Sequence, residues 1–323
     1  MDVIIQAVQA LVFGIVEGIT EWLPISSTGH MMLLNQLWPL EVSPSFYDMF
    51  LVVIQLGAIM AVIILYFHKL NPFAHSKNAE QKRATWGIWA KVVVGSIPAA
   101  IVGLALDNWM EQAVMNDAGV AYIVVSCALI AYGVVFIVLE RRNRRLLREA
   151  MAPRGRHARP AGVLADAVSA GIDTADEQAD PSNAIARVTS FDELSYPRAF
   201  AIGVFQSLAI VPGTSRSGSI IIGSLLLGTS RTVATEFAFF LAIPIMFGWS
   251  VVKVARHGLS YAPNEWMIFG IGIVTAFLVS IAAIKFLISY IKRNDFTAFG
   301  VYRIAVGLVM LGYFGQVVNG LFW

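Results

Sequence analysis

The stretch Glu17-Gly-Ile-Thr-Glu-Trp-Leu-Pro-Ile-Ser-Ser-Thr-Gly-His30 lies inside an apolar segment that extends from Val3 to Trp38. Its proline ends a helix that runs into it, and the hydroxyl residues behind the proline favour the start of a second helix. The segment therefore predicts two half-length helices joined by a break. Such a break is tolerated at membrane depth only where it is buried in protein or lines a cavity.

The composition is that of a membrane protein. Of 323 residues, 57% are hydrophobic and only 14% are charged, and the mean hydropathy is +0.69. A soluble domain of this size carries about 25% charged residues. These values exclude a largely disordered chain, a coiled coil and, with Cys127 as the single cysteine, a disulfide scaffold. The net charge of +2 is too small to indicate a nucleic-acid partner.

Six apolar runs have the length of a membrane span, and each is predicted to be a helix because a lone segment in lipid must satisfy its own backbone. A second broken region, Tyr196–Gly228, contains Pro212-Gly213 and an arginine. We therefore expect an all-α polytopic membrane protein with six transmembrane helices and two re-entrant helical hairpins, at residues 3–38 and 196–228. The predicted spans are Met49–Phe67, Ala84–Leu106, Ala118–Leu139, Thr232–Val252, Trp266–Ile284 and Ile304–Trp323.

The distribution of Lys and Arg predicts the orientation. Positive charges concentrate in residues 68–91, in residues 140–198 with ten Arg, and just after the fifth span. If these loops are cytoplasmic, the spans alternate correctly, provided that each broken region enters and leaves on one side. Only Lys253 and Arg256 then lie on the other side. Each half then has three crossings, so the two halves have opposite topology.

The two broken regions match at an offset of 189 residues. The matching pairs are Gly14 with Gly203, Glu17 with Gln206, Ser26 with Ser215, Thr28 with Ser217 and Gly29 with Gly218. Together with the odd number of crossings, this match predicts an inverted repeat, a design that places the site near the membrane midplane. Two unrelated kinked helices are the alternative.

The repeat also predicts how the chain is divided. The first repeat covers residues 1–140 and the second covers residues 196–323. Residues 141–195 between them are predicted to be a cytoplasmic linker that is partly disordered. The reason is that Arg154–Asn183 is rich in Ala, Gly, Asp, Arg and Pro and has no sustained periodicity.

The acidic pair of the first broken region points to chemistry. Glu17 and Glu21 are four residues apart and therefore lie on one face of a helix. A charge at the bilayer centre costs roughly 2.5–3.5 kcal/mol on insertion scales. Two such charges on one face need a cation or a water-filled cavity. The alternative is that both carboxylates are solvated at the membrane interface.

The hydroxyl run after Pro24 predicts an anion site. Ser26, Ser27 and Thr28 are favoured N-caps for a helix whose first turn includes Gly29. The start of a helix offers free N–H groups and the positive end of the helix dipole, and both attract an anion. His30 lies three residues after Ser27, within reach as a proton shuttle. Capping alone, with an interfacial histidine, is the alternative.

The second broken region repeats this design and adds a cation. Its hydroxyl residues and glycine, Thr214, Ser215, Ser217 and Gly218, surround Arg216, the only cation in residues 199–230. A guanidinium among hydroxyls suits a phosphate, which it can bind through two parallel hydrogen bonds. The alternative is an arginine paired with Glu17 or Glu21 for structure alone, which would still bring the two motifs together.

Taken together, these residues indicate a phosphate or diphosphate ester held in a membrane cavity. Glu17 and Glu21 could bind a divalent cation, Mg²⁺ or Ca²⁺, because such ions prefer oxygen ligands and bridge phosphate oxygens. The surrounding spans would hold an apolar tail.

At these residues the sequence resembles the undecaprenyl-diphosphatase family, also called bacitracin-resistance proteins. The family motif Glu-Gly-x-Thr-Glu-x-Leu-Pro-x-Ser-Ser-Thr-Gly-His stands at Glu17–His30, and Pro-Gly-x-Ser-Arg-Ser-Gly stands at Pro212–Gly218. Two further family patterns match Val53–Gly57 and Glu236–Pro244. The resemblance covers about residues 1–140 and 190–323, and the connection between the halves is longer than usual for the family.

The resemblance implies a hydrolase of the bacterial plasma membrane that converts undecaprenyl diphosphate to the monophosphate and so recycles the lipid carrier for cell-wall synthesis. It also implies an inverted-repeat fold with two re-entrant hairpins, a site open to the outer face and dependence on a divalent metal. A homodimer is a further expectation. The residues expected to matter most are Glu17, Glu21, Ser27, His30 and Arg216.

Two mechanisms and three other functions stay open at this point. Ser27 attacks the terminal phosphorus with His30 or a glutamate taking its proton, or Ser27 only positions the substrate and a Glu-activated water attacks. The rival functions are a polyprenyl-phosphate flippase, a membrane phosphatase of the acid-phosphatase type and a channel. A phosphatase of the acid-phosphatase type would have a histidine after the arginine, and this sequence has no such histidine after Arg216. The concentration of hydroxyl, arginine and glutamate residues in the two motifs argues against a channel.

Overall fold

The computed structural model describes residues 3–152, 180–258 and 260–318, and these residues form a bundle of α-helices. A π-helical turn, Glu111–Met115, and two short 3₁₀ turns, Pro181–Ala184 and Leu208–Ile210, lie between them. The α-helices are α1 (Val3–Thr20), α2 (Ser27–Leu37), α3 (Pro44–Leu65), α4 (Phe67–Leu70), α5 (Ala79–Met110), α6 (Ala118–Met151), α7 (Tyr196–Ser207), α8 (Arg216–Leu226), α9 (Arg231–His257), α10 (Pro263–Ile291) and α11 (Thr297–Val318).

Among the described residues, six helices are long and apolar enough to cross a membrane, which confirms the polytopic all-α prediction. Five of them contain predicted spans, in α3, α5, α6, α9 and α10. The sixth is α1, which the sequence assigned to a hairpin. The predicted span Ile304–Trp323 falls on α11, a shorter apolar helix, and its last five residues lie outside the described part of the chain.

Both predicted breaks are present: one lies between α1 and α2, and the other lies between α7 and α8. The arms α2, α7 and α8 have only 11 or 12 residues, so each is roughly 17–18 Å long at 1.5 Å per residue. That length is well short of the roughly 30 Å of a hydrocarbon core. The short arms support the re-entrant hairpins, which stay a prediction.

The two breaks have the same backbone conformation. In the described residues, Ser26 and Ser215 are the two non-glycine residues with positive φ, at 72° and 69°. They are the N-caps of α2 and α8, and they are separated by the 189 residues that relate the predicted repeats. Positive φ at a residue with a side chain is strained, by roughly 1–3 kcal/mol. The surrounding structure therefore enforces this turn twice.

The helices of the two halves pack in a reciprocal pattern. Helix α1 packs on α10 and α7 packs on α5, while α6 packs on α11. Glycines permit each approach: a Cβ built on Gly14 would lie 2.7 Å from the carbonyl oxygen of Gly272, and one built on Gly133 would lie 2.6 Å from that of Gly300. Small residues allow such close backbone contact between membrane helices. The pattern supports the predicted inverted repeat, which stays a prediction.

The predicted linker is helical at its start and anchored at its end. Helix α6 continues to Met151, so residues 141–151 extend that helix, whereas residues 153–179 lie outside the described part. Asp180 is buried and accepts hydrogen bonds from the backbone N–H and the hydroxyl of Thr232, at 2.9 and 3.0 Å. Next to it, Arg231 donates two hydrogen bonds to the fully buried Glu140. The end of the linker thus caps α9.

We expect Gly203→Ala to destabilise the protein. A Cβ at this position would lie 2.8 Å from the carbonyl carbon of Gly95, so α7 and α5 would have to separate. Such overpacking costs about 1–3 kcal/mol. The control is Gly87→Ala on α5, where a Cβ would meet no atom of the described residues within 4 Å. Thermal unfolding in detergent checks this, and equal melting temperatures for the two variants would contradict it.

Candidate active site

Glu21 joins the two motifs in one cluster. The hydroxyl of Ser27 donates to Glu21 Oε2 at 2.6 Å, and Arg216 Nη2 forms a salt bridge with Glu21 Oε1. The side chains of Arg216 and Glu21 are only 14% and 8% exposed. Ser217 adds a hydrogen bond from its hydroxyl to the Glu21 carbonyl oxygen at 3.3 Å. Residues that are 195 positions apart in sequence thus meet in a mostly buried polar site.

Arg303 on α11 holds the two breaks against each other. Its Nη1 donates to the Pro24 carbonyl oxygen at 3.0 Å, and its Nη2 donates to the carbonyl oxygens of Gly213 and Thr214 at 2.8 and 2.9 Å. The side chain is fully buried, and its guanidinium lies 5.3 Å from the ring centre of Tyr132. The described part of the chain provides no carboxylate partner for it. Because its positive charge is not paired with a carboxylate there, the region around both breaks is electropositive.

The helix starts behind the breaks are capped as the sequence predicts. The Ser26 hydroxyl accepts from the Gly29 N–H at 3.5 Å, and the Ser215 hydroxyl accepts from the Gly218 N–H at 3.2 Å. Before the second start, the Thr214 hydroxyl donates to the Val211 carbonyl oxygen at 2.8 Å and so closes the turn. Two helix N-termini, with the positive ends of their dipoles, therefore flank the Glu21 cluster.

His30 is held away from Ser27. Its Nδ1 is 2.7 Å from the Ser26 carbonyl oxygen, and its Nε2 is 2.8 Å from the hydroxyl of Tyr302, on whose ring it stacks. Both ring nitrogens are thus engaged by other groups. The base that contacts the Ser27 hydroxyl is Glu21 rather than His30.

Glu17 lies behind this cluster and is 1% exposed. Within the described residues its Oε1 has no hydrogen-bond partner. Among the described residues, no group of three or more His, Cys, Asp or Glu side chains is arranged to hold a metal. The free Oε1 of Glu17 fits an ion such as Mg²⁺, which is bound by one or two carboxylates together with substrate phosphates, whereas both oxygens of Glu21 are already engaged by Ser27 and Arg216.

A cavity of about 510 Å³ opens beside the cluster. Its polar wall includes Glu21, Ser27, Gln55, Gln206 and Arg216. The rest is largely apolar and comes from α5, from α9 and from the segment between α7 and α8. The apolar residues include Ala99, Ala100, Leu104, Ile210, Val211, Pro212, Ile245, Met246, Trp249 and Val252, and Asp107 also lines the cavity. A cavity with one polar end and a long apolar wall suits a ligand that has a charged head and an apolar chain.

The structure sorts the predicted site residues into two groups. Those that line the cavity are Glu21, Ser27, Thr28, Ser215 and Arg216. Those that support the cluster from outside the cavity wall are Glu17, Ser26, Gly29, His30, Thr214, Ser217 and Gly218. Arg303 and Gln206 were not predicted as site residues from the sequence. Arg303 could have been noticed as a cation at the edge of the last apolar run, and Gln206 could have been noticed because it pairs with Glu17 at the offset of 189.

We expect Arg303→Met to lower the melting temperature and to reduce activity even at temperatures where the variant is folded. The substitution leaves three carbonyl oxygens of the breaks without their donor, and an unsatisfied buried polar group costs about 1–3 kcal/mol. The control is Arg145→Met, because the Arg145 side chain is 82% exposed. Thermal unfolding and activity measured on both purified variants check this; an Arg303→Met protein that matches its control would contradict it.

The chain matches known proteins over nearly its whole length. The family described as Bacitracin resistance protein BacA matches residues 10–309. A protein of Enterococcus faecalis named undecaprenyl-diphosphatase is 44% identical over 308 residues, which are 94% of this chain and 96% of that protein. Proteins of the same name from Lactiplantibacillus plantarum and Limosilactobacillus fermentum are 46% and 45% identical, over 95% and 98% of this chain and 97% and 100% of their own lengths. The chain therefore belongs to the bacitracin resistance protein (undecaprenyl-diphosphatase) family.

Proposed function

We propose that this multi-pass membrane protein hydrolyses undecaprenyl diphosphate to undecaprenyl phosphate and inorganic phosphate. The observation that carries the proposal is the contact of Arg216 and Ser27 with the two oxygens of Glu21 at the polar end of the cavity. The names of the relatives support the same reaction. This reaction recycles the lipid carrier of cell-wall synthesis and accounts for the bacitracin resistance in the family name. Neither the comparisons nor the contacts favour a flippase.

The site matches both parts of such a substrate. Arg216 and the two helix N-termini bind a diphosphate, since a guanidinium and free N–H groups are strong donors to phosphate oxygens. Arg303 adds positive charge from behind the breaks. The apolar residues of α5 and α9 offer a surface for the first units of the polyprenyl chain.

The geometry favours Ser27 as nucleophile with Glu21 as its base. The Ser27 hydroxyl already donates to Glu21 Oε2. As its oxygen bonds to the terminal phosphorus, the proton passes to Glu21 and the bond from that phosphorus to the bridging oxygen breaks. The lipid monophosphate leaves with the proton from Glu21. Glu21 then takes a proton from the water that attacks the phosphoserine and returns it to the Ser27 oxygen, so that inorganic phosphate is released and Ser27 is restored. Arg216 stabilises the charge that develops on the phosphoryl oxygens.

The proposed cofactor is a divalent cation, Mg²⁺ or Ca²⁺, held by Glu17 and Glu21. When bound, it would neutralise part of the charge on the phosphate oxygens. The free Oε1 of Glu17 supports this assignment.

The proposed orientation follows the charges of the loops. The arginines at the end of α6 and the anchored end of the linker are placed on the cytoplasmic side. The cavity residues of α5 and α9 lie toward the opposite ends of these helices, so the site opens to the outer face of the plasma membrane. A homodimer stays a prediction.

The wild-type protein in detergent is expected to release inorganic phosphate from a polyprenyl diphosphate, and a chelator is expected to abolish the release. Arg216→Lys keeps a charge but loses the planar pair of donors, and loss of one such stabilising group lowers kcat about 10²- to 10³-fold. Arg145→Lys is the matched control. The proposal fails if the wild type releases no phosphate with any divalent metal.

A phosphoserine at Ser27 is expected to accumulate when the enzyme is mixed with substrate and quenched within one turnover. Mass spectrometry of the digested protein detects it. Ser27→Ala abolishes it, whereas Ser45→Ala, at an exposed serine, leaves it unchanged. If Ser27→Ala and Ser27→Thr lose activity equally and no phosphoserine is trapped, a water activated by glutamate is the nucleophile instead.

A further inference from the structure

Gln206 is a buried glutamine for which the reaction described above has no use. It lies in the last turn of α7, is 1% exposed and belongs to the wall of the same cavity as Glu21, Ser27 and Arg216. Across the described chain, neither its Oε1 nor its Nε2 has a hydrogen-bond partner. A buried amide with both polar atoms unsatisfied costs free energy, so a residue of this kind calls for an explanation.

The surrounding helices fix this amide in place. One turn earlier, Gly203 faces the backbone of Gly95, so α7 and α5 pack backbone to backbone at this point. The hydroxyl of Ser207 donates to the Gly203 carbonyl oxygen at 3.2 Å. The break begins a few residues later. The backbone of Gln206 is therefore fixed beside the cavity, which favours a preorganised ligand contact.

The predicted repeat allows the Gln206 amide to be compared with the side chain at the matching position of the first half. Gln206 is the counterpart of Glu17 at the offset of 189 residues. Where the first repeat places a carboxylate, the second places a neutral group that can donate a hydrogen bond. Another carboxylate on the cavity wall that holds Glu21 would repel an anionic head, whereas an amide N–H can bind one of its oxygens.

We propose that Gln206 is a substrate-binding residue whose side-chain Nε2 donates a hydrogen bond to a phosphate oxygen of the lipid diphosphate. This inference rests on the proposed function, since it takes the diphosphate as the occupant of the polar end of the cavity. It explains why the amide is unsatisfied inside the protein: its partner is supplied by the ligand.

The decisive variant is Gln206→Met, which keeps the volume and removes both polar atoms. Because the amide is unsatisfied, this change should raise the melting temperature of the ligand-free protein. It should at the same time lower kcat/KM about 10- to 100-fold, as expected when one hydrogen bond to a charged group is lost. Gln206→Glu should weaken binding further, through repulsion between the new carboxylate and the anionic head.

The matched control is Gln9→Met on α1. Gln9 is equally buried, but its Nε2 donates to the Pro39 carbonyl oxygen at 2.7 Å and it does not line the cavity. This control should lower the melting temperature and leave kcat/KM within about twofold of the wild type. Opposite signs of the two stability changes would separate an amide that awaits a ligand from one that serves the fold.

Binding is measured separately with a non-hydrolysable methylene-bridged polyprenyl diphosphonate, by its effect on the melting temperature. Gln206→Met should reduce the affinity for this probe by a factor similar to that in kcat/KM. The inference is overturned if Gln206→Met lowers stability, or if probe affinity and kcat/KM both stay within twofold. A wild type that binds the probe but releases no phosphate would refute the proposed hydrolysis and leave the binding inference intact.

Discussion

The structure depends on one buried guanidinium that holds two interrupted segments together. Arg303 donates to carbonyl oxygens of Pro24, Gly213 and Thr214, which are the groups that each break frees from helical hydrogen bonding. In lipid, such carbonyls need an internal partner, because no water is present to serve them. This one side chain provides hydrogen bonds to carbonyl oxygens of both breaks and fixes the distance between them. The contact between Glu21 and Arg216 follows from that arrangement.

The fold and much of the site were predictable from sequence because they rest on local patterns. Apolar runs predicted the long helices, and proline followed by hydroxyl residues predicted both breaks and their caps. Glu21, Ser27 and Arg216 could be grouped because each lies in a motif that is too polar for its surroundings. The two breaks were expected to meet for the same reason.

The remaining features depend on contacts between segments far apart in the chain. His30 looked like a partner of Ser27 from its spacing, but its ring is fixed by Tyr302, which is 272 positions away. Arg303 lies at the edge of an apolar run, and only the packing of α11 on α6 shows that it reaches the breaks. The start of the linker continued as helix because the arginines after Leu139 keep a helical pattern that composition alone does not reveal.

The contact between Gly133 and Gly300 has a consequence for motion. Each glycine faces the carbonyl oxygen of the other, so α6 and α11 meet backbone to backbone at the junction of the two halves. Rocking of one half against the other, the movement by which many carriers expose a site alternately to each side, would have to pull this junction apart. Such close backbone packing holds α6 and α11 in a fixed position relative to each other. Substrate exchange would then depend on lipid sliding sideways into a static cavity rather than on a swinging scaffold.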